Sequence, residues 1–112
     1  MEITFASTKL EKECNQEKLL IRRYGPEQAK LVRRRLDEIR AADSLEILGK
    51  LPQARCHELK ADRAGQLSVD LKHPYRLLFE PAHKPVPSKP DGGLDWAKVT
   101  AVRILEVEDT HG

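Results

Sequence analysis

The sequence predicts an α+β fold in which an N-terminal strand and two to three helices pack on one face of a curled, mainly antiparallel sheet of four to five strands. Two observations predict this class of fold. Apolar residues recur at helical spacing between residues 8 and 48, whereas from residue 54 onward apolar and polar residues alternate, as in half-buried strands. Because short turns separate the alternating segments, we expect neighbouring strands to pair antiparallel. The helices should leave the other sheet face free for a partner.

The N-terminal half begins with a short alternating strand at residues 2–5 and continues with helices. Thr8 followed by Glu11 has the spacing of a capping box, and Gly25-Pro26 should end the first helix and open the second. A weak apolar stripe marks the first helix: Leu10, Cys14, Glu17 and Ile21. A stronger stripe on the second helix should face the sheet: Ala29, Val32, Leu36 and Ile39. The other faces of that helix are basic: Lys30, Arg33, Arg34, Arg35 and Arg40.

The second half is expected to be mostly strand. A short third helix should run from its cap Ser44 to Leu48, with Gly49 closing it. Strands are then expected at residues 54–59, 67–71, 75–79 and 98–107, and the last is apolar on both faces and therefore central in the sheet. The proline- and glycine-rich stretch at about 81–97 is interpreted as a mobile loop within a single domain of residues 1–112, pinned to the core by Trp96.

Composition and residue spacing favour a folded, intracellular chain without a cofactor. One domain fits 112 residues, and 39% hydrophobic with 34% charged residues is typical of a globular protein. Cys14 and Cys56 lie in no C-x-x-C pattern, which favours reduced thiols. The chain shows neither a secretory signal nor an apolar run near the ~18 residues of a membrane span, so a cytoplasmic protein is expected. The histidines lack zinc-ligand spacing and no glycine loop has a strand before it, so neither a metal nor another cofactor is expected.

One rim of the predicted sheet gathers cations and histidines. Because adjacent strands lie roughly 4.8 Å apart, residues at the ends of successive strands should approach one another. The expected set is Arg55, His57, Lys60, Arg63 and Arg76, with Asp109, Thr110 and His111 from the tail. Such a set suits attack of a ribose 2′-hydroxyl on its own phosphate, since histidine can move protons and arginine can hold phosphate oxygens. The nucleophile is internal, so this reaction needs no metal.

Simpler interpretations of the same residues remain open. His57 alone is most often an ordinary surface histidine, and Arg76 could pair with Asp70 or Glu80 across the sheet. The run Arg33-Arg34-Arg35 is most often a solvated helix face, although it could also mark a contact with ribosomal RNA or an acidic partner. Ser68 near His57 and Asp70 is interpreted as coincidence rather than as a catalytic triad.

Several segments together resemble the HigB-like branch of the RelE/ParE toxins, which belong to type II toxin–antitoxin systems. Residues 57–65 read HELKADRAG, residues 67–69 read LSV, residues 75–79 read YRLLF, and residues 109–111 read DTH. The resemblance is sharpest from residue 51 to residue 79 and returns at residues 107–111. It implies a ribosome-dependent mRNA endonuclease that cuts mRNA in the decoding site. It also implies a cognate helix-turn-helix antitoxin, HigA-like, through which alone the toxin would meet operator DNA.

The resemblance implies a role for each matching residue. His57 matches the family's catalytic histidine, Lys60 its lysine and Arg76 the arginine on the scissile phosphate. Asp109 and His111 match the terminal motif. RNA contacts are expected from Arg55 and Arg63 beside the site and from the second helix, which would dock on ribosomal RNA: Lys30, Arg33 and Arg34.

The sequence departs from the family pattern at two places. Thr110 stands where the family has a tyrosine, and the stretch at 81–97 is longer than the usual hairpin. Either change could mean weak activity, a changed codon preference or a different target. Two other functions are therefore open: a ParE-like inhibitor of DNA gyrase, and a degenerate toxin that only binds its antitoxin as a co-repressor.

Overall fold

A computed structural model describes residues 1–110 of the chain, and within them it contains four helices and five strands. Strand β1 (Glu2–Phe5) comes first, followed by α1 (Thr8–Asn15), α2 (Glu17–Tyr24), α3 (Pro26–Ala41) and α4 (Leu45–Leu48). Four strands complete the chain: β2 (His57–Glu58), β3 (Leu67–Asp70), β4 (Tyr75–Pro81) and β5 (Ala101–Asp109). The predicted α+β class and the order of the elements are confirmed.

The five strands form one open sheet in the order β1-β5-β4-β3-β2. Only β1 and β5 run parallel, with Glu2 opposite Ala101, and the other neighbours are antiparallel. The prediction that the last strand lies inside the sheet is confirmed, because β5 pairs with β1 on one side and β4 on the other. The strand begins at Ala101 rather than Lys98, since Trp96–Lys98 form a 3-10 turn.

Strand β2 is shorter than predicted and covers only His57–Glu58. The predicted strand at residues 54–59 is wrong at its start because Arg55 adopts a left-handed backbone, with φ of +46°, which interrupts an extended chain. Ala54 is fully buried and donates its N–H to the carbonyl of Leu51, as in a turn. The sheet edge that carries His57 is therefore only two residues long.

The first predicted helix is divided in two. Gln16 has an extended backbone, φ −129° and ψ 107°, and separates α1 from α2. The cap of α1 is Ser7, whose hydroxyl accepts the N–H of Leu10 at 3.1 Å, so the capping box predicted at Thr8 lies one residue too late. The predicted stripe also changes at the break: Leu20 is fully buried, whereas Ile21 is exposed. The break rotates α2 so that Leu20 enters the core.

Helix α3 provides the helical side of the core, as predicted, through four buried residues: Ala29, Val32, Leu36 and Ile39. They pack with the alternate residues of β3, β4 and β5: Leu67, Val69, Leu77, Phe79, Val102 and Ile104. The short helix α4 has the predicted cap, since the Ser44 hydroxyl accepts the N–H of Ile47 at 3.4 Å. The side chains between the core positions on each strand point to the opposite sheet face.

The proline- and glycine-rich stretch closes on itself and is anchored by Trp96. Asp95 donates its N–H to the carbonyl of Pro87 at 3.0 Å, and Lys89 donates to Gly93 at 2.7 Å. The Trp96 ring lies against Gly49, where an added Cβ would come within 2.8 Å of the ring, and its Nε1 donates to Glu58 at 2.9 Å. The predicted anchoring role of Trp96 is confirmed, while the mobility of the loop stays a prediction. Among residues 1–110, no helix combines the length and apolar character that crossing a bilayer requires.

Candidate active site

The sheet face away from the helices carries a polar set that we name the polar face. Side chains directly opposite one another on paired strands share a face, so the register defines two rows. One row runs Asp70–Arg76–Glu108 across β3, β4 and β5, and the other runs His57–Ser68–Leu78–Glu106 from β2 to β5. Ser68 and Leu78 are fully buried although both lie outside the helix-side core. The expectation of an entirely free second face is therefore wrong at its centre.

Glu108 joins two arginines of the predicted site. Its carboxylate accepts from Nε of Arg76 at 2.7 Å and pairs through its other oxygen with an Nη atom of Arg63. Arg63 lies in the 3-10 turn Ala61–Arg63 between β2 and β3, and its side chain reaches across the polar face to β5. Arg76 thus pairs with neither Asp70 nor Glu80. The two guanidiniums and one carboxylate carry a net charge of about +1 when all three are ionised.

His57 is exposed and held by both ring nitrogens. Nδ1 lies 3.0 Å from the backbone carbonyl of Arg55, and Nε2 lies 3.4 Å from the Ser68 hydroxyl. A carbonyl oxygen only accepts, so the neutral ring that fits this contact carries its proton on Nδ1, and its lone pair at Nε2 faces the Ser68 hydroxyl. That tautomer can accept a proton at Nε2, as a general base requires.

Ser68 and His57 meet, but they do not complete a triad. Ser68 is fully buried, and its contact with His57 is long. Asp70, the acid on the same face, pairs instead with Nε of Arg55 at 3.5 Å. The ring is oriented by a backbone carbonyl, and the serine lacks the accessibility of a nucleophile.

Cys56 lies beside His57 in the chain and is held as a neutral thiol. Burial, with a smaller contribution from the carboxylate of Glu58, raises the pKa of the Cys56 thiol to about 12. Since the thiolate is the reactive form, Cys56 is a poor nucleophile near neutral pH. Cys14 is similar, because burial raises its pKa to about 11, with Glu13 adding to the effect. His57 is therefore the better candidate for proton transfer in this part of the polar face.

The remaining cations of the predicted site border the polar face. Arg55 is 76% exposed and reaches Asp70 from the β2 side of the sheet. Lys60 is exposed and immediately precedes the 3-10 turn that carries Arg63. The structure thus brings four residues of the predicted site onto or beside one face: His57, Arg63, Arg76 and Arg55. Lys60 lies immediately before the turn that crosses this face.

The three predicted RNA contacts on α3 lie elsewhere. Lys30, Arg33 and Arg34 are exposed on the side of α3 that faces away from the sheet, and they line a shallow cleft of about 430 Å³ with Asp37 and Glu38. Arg33 also pairs with Glu17 of α2 at 3.0 Å. Because α3 packs on the opposite sheet face, the helix and the sheet separate this cluster from His57.

Arg35 does not belong to that exposed basic surface. Only 7% of its side chain is exposed, and it donates to the backbone carbonyls of Asp70 at 2.7 Å and Gln53 at 3.0 Å. A third bond runs to the carboxylate of Glu38 at 2.9 Å. The sequence placed Arg35 with the solvated arginines, and this placement is wrong because the residue lies between the core stripe and the loop before β2.

The C-terminal tail departs from the expected arrangement. Asp109 is opposite Tyr75 and therefore lies on the helix side of β5, while Glu108 takes the position beside Arg76. Thr110 donates both its N–H and its hydroxyl to the carbonyl of Pro74, at 2.9 and 2.6 Å. His111 lies outside the described residues. Glu108 was missed in the sequence, because alternation from the core residues Val102 and Ile104 would put it on the helix side. The register irregularity opposite Leu78 and Phe79 shifts it to the polar face.

No group of three or more His, Cys, Asp or Glu side chains within residues 1–110 is arranged to hold a metal ion. Comparison with known proteins adds no assignment: no protein-family model matches the chain, and no curated protein matches it. The candidate site is therefore described by its own geometry.

Proposed function

We propose that this protein is a cytoplasmic endoribonuclease toxin of a type II toxin–antitoxin system that cuts ribosome-bound mRNA. The observation that carries the proposal is that a proton-accepting histidine and two linked arginines lie on the same sheet face. In the tautomer that fits its contact with Arg55, His57 carries its lone pair at Nε2, and Arg63 and Arg76 converge on Glu108, which lies three strands away. The fold class and the order of its elements agree with those predicted from the sequence pattern.

The proposed reaction is an internal transesterification. His57 takes the proton of a ribose 2′-hydroxyl, the O2′–P bond forms, and the P–O5′ bond breaks. The products are a 2′,3′-cyclic phosphate and a 5′-hydroxyl, which needs one proton from a general acid. Arg76 and Lys60 stabilise the extra negative charge on the phosphorane, Arg63 positions the phosphate, and His111 supplies the proton.

A second contact surface fits this function. Lys30, Arg33 and Arg34 face away from the cleavage face, so the toxin would bind ribosomal RNA with α3 and mRNA with the polar face. Phosphate contacts release counterions, and the affinity for ribosomes should fall steeply as salt rises. A HigA-like antitoxin would neutralise the toxin, and operator DNA would be reached through the antitoxin alone.

One observation favours the alternative functions. Arg63 and Arg76 are already paired with a carboxylate, and the Thr110 hydroxyl is engaged by Pro74. A protein with this tail could act by binding alone, either as a ParE-like inhibitor of DNA gyrase or as an antitoxin-binding co-repressor. The three functions differ in what they act on: mRNA, DNA gyrase or the antitoxin complex.

Primer extension on an mRNA in a reconstituted translation system tests the nuclease. Wild-type protein should produce cuts that require ribosomes. His57→Ala should lower the cleavage rate by about 10²–10⁴-fold, as expected for loss of a general base. Arg76→Ala should lower it by about 10²–10³-fold, through lost electrostatic stabilisation.

Arg103→Ala is the matched control for Arg76→Ala. Arg103 is also on the polar face and pairs with a glutamate, Glu80, at 3.0 Å, but it lies near the other end of the strands. Its loss should leave cleavage unchanged. Uncut mRNA with wild-type protein would reject the nuclease; a DNA supercoiling assay with gyrase and a growth assay would then separate the gyrase inhibitor from the co-repressor.

A further inference from the structure

The carboxylate between Arg63 and Arg76 is the most unusual feature of the polar face. Glu108 is 14% exposed, and Arg63 and Arg76 are 37% and 25% exposed, so the three groups meet at the surface and not in the core. An acid between two arginines can act in two ways. It can occupy the place of a phosphate, or it can hold both arginines in the orientation that a phosphate needs.

The number of hydrogen-bond donors favours the second role. Two guanidiniums carry about ten N–H donors, whereas one carboxylate offers roughly four lone-pair positions. Glu108 therefore cannot satisfy both arginines, and donors remain for another anion. Its bond to Arg76 runs through Nε, an arrangement in which the Nη side of that guanidinium can face outward.

Glu108 also determines where Arg63 lies. Arg63 belongs to the 3-10 turn Ala61–Arg63, and its side chain reaches β5, past β3 and β4, to meet Glu108. Without that carboxylate, two like charges would face each other, and Arg63 would lose the ion pair that draws it towards Arg76. The same contact brings the turn that begins after Lys60 over the polar face.

We propose that Arg63, Arg76 and Glu108 form a phosphate-binding clip in which the two arginines bind one phosphodiester and Glu108 is a positioning residue. The clip would hold the scissile phosphate of the proposed nuclease, and in that respect it rests on the proposed function. Phosphate binds to the remaining guanidinium donors while Glu108 stays in place. The site thus binds an anion with a carboxylate as part of its structure.

Replacing Glu108 distinguishes the two roles, because they predict opposite changes in the affinity for RNA. Glu108→Gln removes one negative charge. If Glu108 competes with phosphate for the arginines, or acts only through its charge, this variant should bind RNA more tightly. The clip predicts weaker binding, by at least about tenfold, because one charge-assisted hydrogen bond or more is lost from the arginine arrangement. Glu106→Gln is the matched control, since Glu106 is exposed on the same face of the same strand and the charge change is identical.

Binding is measured by fluorescence anisotropy with a short RNA that carries 2′-deoxyribose at every position where cleavage is found, so that no cutting occurs. A Glu108→Gln variant that binds as tightly as Glu106→Gln, or more tightly, overturns the clip. Glu108→Asp should recover part of the affinity. Thermal unfolding of each variant verifies that the compared proteins are folded.

A titration of the wild-type protein does not depend on any variant folding. Inorganic phosphate should shift the NMR signals of the Nε–H groups of Arg63 and Arg76 together, with one dissociation constant, and leave that of Arg103 unchanged. Unchanged or independently changing signals of Arg63 and Arg76 would overturn the clip. Phosphate binding without mRNA cleavage would reject the proposed nuclease alone, and cleavage without joint binding would reject the clip alone.

Discussion

Replacing the buried Arg35 by alanine should destabilise the protein far more than the same change at its neighbour Arg34. Arg35 donates to the carbonyls of Asp70 and Gln53 and to the carboxylate of Glu38, and only 7% of its side chain is exposed. Truncation removes all three bonds at once. Arg34 is exposed on the outer surface of α3, so its removal changes only a solvated charge.

The expected loss of stability follows from the polar groups that Arg35→Ala leaves without their partner. Breaking a buried ion pair by removing one partner costs about 3–5 kcal/mol. Glu38 retains a hydrogen bond from Gln53 Nε2 at 2.9 Å and is 16% exposed, which moves the expectation to the lower end. We expect Arg35→Ala to lower the free energy of unfolding by about 3 kcal/mol, a large part of the roughly 5–15 kcal/mol of an ordinary domain. Arg34→Ala should change it by less than about 0.5 kcal/mol.

Urea unfolding followed by circular dichroism measures both variants. The midpoint of Arg35→Ala should fall with an unchanged slope, since the surface exposed on unfolding stays the same. Arg35→Met keeps much of the apolar stem, so its comparison with Arg35→Ala separates lost packing from lost hydrogen bonds. If Arg35→Ala and Arg34→Ala unfold within about 0.5 kcal/mol of each other, the structural role assigned to Arg35 is refuted.

Four further predictions concern the packing and the thiols. Gly49→Ala should lower the free energy of unfolding by about 1–3 kcal/mol through overpacking, because the new Cβ would meet the Trp96 ring at 2.8 Å. The fluorescence emission of Trp96 should shift as well. Lys50→Ala should change neither the stability nor the emission. Gln28→Ala should cost about 1–2 kcal/mol, since its buried amide bonds both the N–H and the carbonyl of Lys72, whereas Glu27→Ala loses only an exposed ion pair. Cys14 and Cys56 should react slowly with iodoacetamide at pH 8 until urea unfolds the chain, and equal rates in both states would contradict their burial. In the folded chain, burial raises the pKa of Cys14 to about 11 and that of Cys56 to about 12. The thiols of the unfolded chain ionise first, so the free energy of unfolding should fall as pH rises above about 9. Cys56→Ser should make that fall less steep.

Most of the fold could be predicted because the residue patterns that indicate it lie within single helices and strands. The stripe of α3 from Ala29 to Ile39 has one period, and the strands from Leu67 onward have another. A change of period is visible without knowing any contact between distant residues. The interior position of β5, between β1 and β4, was likewise predicted from its apolar residues at successive positions.

The errors arose where the backbone leaves its regular path. The extended backbone at Gln16 divides a helix, and the left-handed backbone at Arg55 shortens a strand to His57–Glu58. Neither residue is a glycine or a proline, so residue type gave no warning of either break. A helical or strand period does not record either conformation.

The candidate site was only partly predictable for a related reason. The cations Arg63 and Arg76 could be expected near each other from adjacent strands, but their shared partner depends on the register between β4 and β5. That register includes an irregularity between Leu78 and Phe79, which cannot be counted from the sequence. It places Glu108, and not Asp109, beside Arg76.

The row Asp70–Arg76–Glu108 is supported from both faces of the sheet. From the helix side, Arg35 bonds the backbone carbonyl of Asp70 at 2.7 Å. On the polar face, Arg63 pairs with Glu108, which also holds Arg76. Loss of Arg35 should therefore disturb the row that carries the phosphate clip as well as the free energy of unfolding, whereas loss of Glu108 should disturb the clip alone. Arg35 and Arg63 thus act on one row of the sheet from its two faces, and a Glu108 variant separates the loss of phosphate binding from the loss of stability.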